Sequence, residues 1–167
     1  MTATIRPPPP QIVPATPANA DAVAMVQAEG LDGPWDDAPW SAADWAVFLV
    51  DPTVHAALAI DAGGPVGLVA WRMVADDSEI LTLCVVPAAR RRGLGGALLD
   101  HALGKATEAG CRRMALEVAA PNEAAIALYH ARGFSPCGRR RGYYTGRNPH
   151  AGPVDAIVLV CTPVSQA

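Results

Sequence analysis

The run Val85-Val86-Pro87-Ala88-Ala89-Arg90-Arg91-Arg92-Gly93-Leu94-Gly95-Gly96-Ala97-Leu98-Leu99 constrains what this chain can fold into more than any other stretch. The apolar residues Ile80 to Val86 read as a buried strand, and Pro87, which has no N–H to give a ladder, stops it. Three arginines and a glycine cluster follow. Apolar residues then recur at helical spacing from Leu94 to Ala109, and Gly110 closes the helix. A strand, a glycine-rich turn and a helix start in that order bring several backbone N–H groups and the positive end of a helix dipole to one place. Such a place suits a phosphate.

Length and composition bound the rest. A chain of 167 residues is expected to fold as one domain with its own core. No apolar run approaches the ~18 residues that span a bilayer, so no membrane segment is expected. Met1 to Pro10 hold four consecutive prolines where a secretory signal needs an apolar core. Residues 1–10 are therefore expected to form a flexible proline-rich arm, 11–163 the domain, and the cytoplasm the location. Cys84, Cys111, Cys137 and Cys161 are widely spaced with no Cys-x-x-Cys pair, and are expected to be small buried thiols binding no metal. His55, His101, His130 and His150 show no metal spacing either.

The net charge of −3 conceals an asymmetry: residues 1–88 carry −9 and residues 89–167 carry +6. Ordinary surface charge is one reading. Two half-sites, a basic one for an anionic cosubstrate and an acidic one for a cationic acceptor, is the other. Nucleic acid is not expected as a partner, because the whole is acidic and its arginine runs lack interleaved aromatics apart from Tyr143-Tyr144.

Along the chain, Gln11 to Ala15 reads as a short strand, and Asn19 or Asp21 can cap a helix running to Glu29. Leu31 to Pro39 is a loop carrying Asp32, Asp36, Asp37 and Trp35. Ser41 with Asp44 approximates a capping box for a helix from Ala42 to about Val50. Val54–Ile60, Val66–Val74 and Glu79–Val86 form an antiparallel meander, turning at Asp61-Ala62-Gly63-Gly64 and at Asp76-Asp77. After the Leu94 helix come a strand from Arg112 to Ala119, a helix from Glu123 to Arg132 stopped by Gly133, and strands Phe134–Gly142 and Asp155–Cys161. Meander and strand–helix–strand crossovers together predict an α/β fold with a mixed sheet.

Two familiar phosphate motifs fail. Leu98 stands where the third glycine of G-x-G-x-x-G belongs, and Gly104-Lys105 is followed by Ala106 rather than Ser or Thr. The shorter pattern Arg-x-x-Gly-x-Gly fits at Arg90 to Gly95. Downstream lies Leu116-Glu117-Val118-Ala119-Ala120-Pro121-Asn122, then Ala125-Ile126-Ala127-Leu128-Tyr129 and Gly133-Phe134. Together these resemble the GNAT acetyltransferase superfamily. The Leu-Glu-Val before the Asn-initiated helix, the Arg-Gly-Tyr-Tyr run at 141–144, Pro39-Trp40-Ser41, and Asp155-Ala156-Ile157 are similar to its RimI branch, the ribosomal-protein-alanine N-acetyltransferases.

The resemblance implies a GNAT fold, a mixed sheet of six to seven strands flanked by about four helices, with acetyl-CoA as cosubstrate. It implies that Leu83, Cys84 and Val85 present strand backbone to the pantetheine arm. Arg91, Arg92, Gly93, Leu94, Gly95 and Gly96 would hold the pyrophosphate, and Asn122 would touch the pantetheine. Glu117 would be the general base and Tyr129, beside the cosubstrate, the general acid. The partner implied is a protein or peptide N-terminus, with ribosomal protein bS18 as the archetype, and the chain itself a monomer or weak dimer. Gly96 departs from the pattern, since relatives often carry a side chain there.

Each role has a plainer alternative. Glu117 also reads as an exposed strand glutamate, Tyr129 as core, and Asn122 as a helix cap. Trp35 and Trp40 read either as packing beneath the first helices or as a lip for a cationic peptide that Tyr143 and Tyr144 also face. As for the acceptor, an α-amine has a pKa near about 7.7–8.0 and a lysine near about 10.4. The difference, about 3.5 kcal/mol, favours an N-terminus when the base is a modest carboxylate. Lysine, a small amine, or a non-catalytic acyl-CoA-binding module remain the alternatives.

Overall fold

The computed structural model describes residues 10–147, 150 and 152–163, so the proline-rich arm, apart from Pro10, lies outside the described residues. The elements run β1 (Gln11–Pro14), α1 (Ala20–Gly30), α2 (Ala42–Phe48), β2 (Val54–Asp61), β3 (Gly64–Val74), β4 (Asp77–Val85), α3 (Leu94–Glu108), β5 (Arg113–Ala119), α4 (Glu123–His130), β6 (Ser135–Tyr144) and β7 (Val154–Cys161). The seven strands form one sheet in the order β1-β2-β3-β4-β5-β7-β6. Among the described residues its one parallel pair is β4 with β5, so the expected mixed sheet is present, and four helices flank it.

Local chemistry sets most boundaries. The Ser41 hydroxyl accepts from the Asp44 N–H at 3.1 Å and the Asp44 carboxylate accepts from the Ser41 N–H at 2.9 Å, a complete capping box that starts α2. Asn19 does precede α1, but its Oδ1 accepts from the N–H and hydroxyl of Thr16 and caps nothing in the helix. α4 stops at His130, two residues short of the expected Arg132: Ala131 closes it and Gly133, at φ +83°, turns the chain.

The core is continuous across the sheet. On one face α3 contributes Leu94, Leu98, Leu99, Ala102, Leu103 and Ala106, all buried at helical spacing. On the other, α1 and α2 bring Val23, Val26 and the fully enclosed Trp45. From β5, Met114, Leu116 and Val118 point inward as alternation requires, which puts Glu117 on the opposite face. The expectation of four buried thiols is corrected here: Cys84 and Cys111 are buried, Cys161 is half-buried, and Cys137 is exposed on the edge strand β6.

Candidate active site

β4 and β5 pair only from Asp77 to Glu79, against Arg113 to Ala115. Beyond that point they separate, while β4 stays bonded to β3 as far as Val85 and β5 to β7 as far as Ala119. The register gives the cause. Ala70 of β3 faces Thr82, yet the next residue, Trp71, faces Ile80, so Leu81 is an extra residue in β4. A bulge of this kind bends and twists its strand. Between Ile80–Val85 and Glu117–Ala119 opens a cavity of about 870 Å³, and the edge of β4 facing it has no strand to bond.

The glycine stretch forms one end of this cavity. Arg91 (φ +63°) and Gly93 (φ +80°) both take the left-handed conformation, and Gly93 is the N-cap of α3. The first helical bond runs from the Ala97 N–H to the Gly93 carbonyl, so the N–H groups of Leu94, Gly95 and Gly96 have no carbonyl one turn back. Arg91, Gly93, Leu94, Gly95 and Gly96 line the wall. The other arginines of the run do other work. Arg90 donates to Asp32 and to the carbonyls of Gly30 and Val85, tying the loop after α1 to the end of β4. Arg92 lies outside the wall, its guanidinium 3.0 Å from the carboxylate of Asp61.

Glu117, Tyr129 and Asn122 reach the same cavity from three directions. Glu117 sits where β5 parts from β4. Its Oε1 accepts from Arg140 of β6 at 2.7 Å, and the Arg140 guanidinium lies 3.8 Å over the ring of Tyr143. Arg140 was not legible as a site residue, because nothing in the sequence says that β7 will pair with both β5 and β6. Tyr129, on α4, is buried against Phe134, and burial pushes its hydroxyl well above the usual tyrosine range. Asn122 caps α4 through its Oδ1, which accepts from the Ala125 N–H at 3.2 Å, and this leaves its NH₂ group uncommitted to the cap. The strand residues Leu83, Cys84 and Val85 line the cavity. The Cys84 side chain turns toward the Val26 carbonyl of α1, where burial pushes the thiol up to about 12.

The opposite wall is the loop between α1 and α2, with Asp32, Trp35, Asp36, Asp37 and Trp40. Trp40 packs on Trp45 (5.0 Å) and Phe48 (4.7 Å), as the packing reading expects, and also lines the cavity. Gln27, a buried polar residue the sequence did not flag, fixes this corner. Its Oε1 accepts from the Trp40 N–H at 2.9 Å and from the Trp45 indole at 3.0 Å. Burial raises the Asp36 carboxyl above its usual value, although the Gly33 N–H it accepts from works the other way. Tyr144 reaches the wall, whereas Tyr143 stays outside it beside Arg140 and Glu117. Among the described residues no three His, Cys, Asp or Glu side chains gather as a metal site. The charge halves also meet directly, in ion pairs Asp32–Arg90, Asp61–Arg92, Asp76–Arg112 and Asp77–Arg113.

Similarity to known proteins agrees with this geometry. Over 94 residues the chain is 38% identical to the [ribosomal protein bS18]-alanine N-acetyltransferase of Escherichia coli K12, a match spanning 56% of this chain and 61% of that relative. The crystal structure of the Escherichia coli ribosomal-protein-S18-alanine N-acetyltransferase superposes with a TM-score of 0.80 at 28% identity, covering 95% of this chain and 96% of that one. A phosphinothricin acetyltransferase from Sinorhizobium meliloti, solved in complex with AcCoA, shares the fold at a TM-score of 0.78 and 22% identity, over 93% and 89% of the two chains. The acetyltransferase (GNAT) family model matches residues 20–134, from the start of α1 through the bulged β4, the glycine stretch and the Tyr129 helix, and the chain belongs to that family.

Proposed function

We propose that this protein transfers the acetyl group of acetyl-CoA to the N-terminal α-amine of a protein, with ribosomal protein bS18 as the target class. One observation carries the reading: the parting of β4 from β5 sets an unbonded strand edge, the free amides of α3, Glu117 and Tyr129 around a single cavity. The pantetheine arm would bond the edge at Leu83, Cys84 and Val85, and the Asn122 NH₂ would meet it from α4. The pyrophosphate would rest on the N–H groups from Gly93 to Gly96, with Arg91 beside them and Arg92 adding charge from outside the wall. The acidic wall of Asp32, Asp36 and Asp37, with Trp35, Trp40 and Tyr144, would receive a cationic chain end.

In the transfer, a proton passes from the amine to Glu117, directly or through a water, and Arg140 holds the Glu117 carboxylate in place through one oxygen. The amine nitrogen bonds to the thioester carbon while strand N–H groups polarise the carbonyl oxygen. The C–S bond then breaks and the thiolate takes the hydroxyl proton of Tyr129. Burial makes Tyr129 a weaker acid than usual. A thiolate formed beside it, itself desolvated, would hold that proton more tightly than a thiolate in water.

The test is release of free thiol from acetyl-CoA with paired peptides that differ only in a blocked N-terminus. Activity confined to the free N-terminus supports the reading. Activity on both points to lysine, and none with any peptide or small amine points to a non-catalytic acyl-CoA-binding module. Glu117→Gln and Tyr129→Phe should each lower kcat about 100-fold or more. Near-wild-type kcat in both would overturn the assigned roles.

A further inference from the structure

Gly96 and Arg132 occupy one space. A Cβ added at Gly96 would fall on Nη2 of Arg132 and 2.9 Å from its Cζ, so the guanidinium lies directly on the bare backbone of the first turn of α3. Arg132 comes from just beyond the end of α4. Its side chain is only 23% exposed, and Asp100, one turn along α3 from Gly96, fixes it through Nε (2.7 Å) and Nη2 (3.2 Å). Those two bonds use one edge of the guanidinium. Nη1 has no hydrogen bond among the described residues.

The position is at the phosphate end of the cavity. Gly96 lines the wall, and the neighbouring Gly95 faces Leu128, whose methyl would lie 3.5 Å from a Cβ there. Arg132 follows the end of α4, four residues after Leu128, where its N–H bonds the Tyr129 carbonyl; it is not itself one of the residues lining the wall, which it borders through Gly96. A planar cation with a free N–H pair, held beside first-turn amides that have no intrahelical acceptor, is the arrangement that binds phosphate oxygens.

We propose that Arg132 is a cosubstrate-binding residue that contacts the phosphates of CoA through Nη1, and that glycine at 96 is what seats it there. This rests on acetyl-CoA being the cosubstrate, so binding of CoA to the wild-type chain, measured by calorimetry, is read first and tests that reading by itself. Arg132→Leu should then raise the Kd for CoA about tenfold and leave acetyl-pantetheine, which has no phosphate, within about twofold. Dephospho-CoA locates the contact: a penalty retained puts Nη1 on the diphosphate, and a penalty lost puts it on the 3′-phosphate. Arg132→Lys should recover part of the affinity.

A purely structural role, through the bridge from Arg132 to Asp100, predicts something else: CoA and acetyl-pantetheine weakened alike, or neither changed. Either result overturns the proposal. Gly96→Ala gives an independent arm, since the methyl displaces the guanidinium while keeping the charge and favouring the helix. It should weaken CoA in the wild-type background and add nothing in the Arg132→Leu background. Additive losses would also overturn the proposal.

Discussion

Arg90 meets three partners at once: the carboxylate of Asp32 and the carbonyls of Gly30 and Val85. It thereby holds the acidic wall of the cavity to the end of β4, and no other arginine of the run does this. Its side chain is 40% exposed, so the bonds are worth less than buried ones. Arg90→Met should cost about 1–2 kcal/mol, or a Tm lower by about 3–6 °C. The effect should depend on pH in one direction. The hydrogen bond from Arg90 holds the Asp32 carboxyl below its ordinary value of 3.8. The stability from this pair is therefore complete above that value and is lost as pH falls through the lowered pKa. Thermal melts of wild type and Arg90→Met should accordingly converge in acid, and a gap that is constant or widens there would refute the brace. The pattern Arg-x-x-Gly-x-Gly begins at this position. Its partners Asp32 and Gly30, 58 and 60 residues upstream, could not be read from spacing.

At the scale of elements, α3 and the turn before it were the most legible part of the chain, because their signals are local. Apolar periodicity, a glycine N-cap and a proline strand stop need no knowledge of the rest of the fold. Nothing lies within 4 Å of a Cβ built at Gly93, so any side chain has room there. The obstacle is the backbone, since φ is +80° and a β-branched residue strongly resists that region. Gly93→Val should leave a folded protein by circular dichroism and weaken CoA at least tenfold (about 1.4 kcal/mol) by disturbing the amides that follow. Retention of wild-type affinity would mean that the turn does not hold the phosphates. Losing the Arg92 charge, by contrast, removes the pair with Asp61 and a long-range attraction, and should weaken CoA only modestly. The parting of β4 and β5 had no local signal. Leu81 looks like any other residue of an apolar strand, and it becomes a bulge only through its register against β3.

Across the whole molecule, sequence periodicity placed every strand within a few residues and the meander of β2, β3 and β4, but not the order of β5, β6 and β7. β7 lies between β5 and β6, and this order carries Arg140 to Glu117. The charge asymmetry proved to be partly structural, since four ion pairs join the acidic half to the basic half, while Asp36, Asp37 and Arg91 line the cavity. A core that runs unbroken from α1 through the sheet to α3 predicts a single cooperative melt. CoA at 100 times its Kd should raise that midpoint by about 5–10 °C, from about 2.7 kcal/mol of linkage. Two separate transitions, or no shift, would contradict one core built around one ligand site. The unbonded edge of β4 has a further consequence for the time the protein spends between turnovers. Its amide hydrogens past Glu79 face a cavity rather than a strand, and they should trade with deuterium in the empty protein far faster than those on the β3 side. On the proposed function a thioester arm supplies the missing ladder, so the stiffness of the mid-sheet rises and falls with the acyl-donor supply around it.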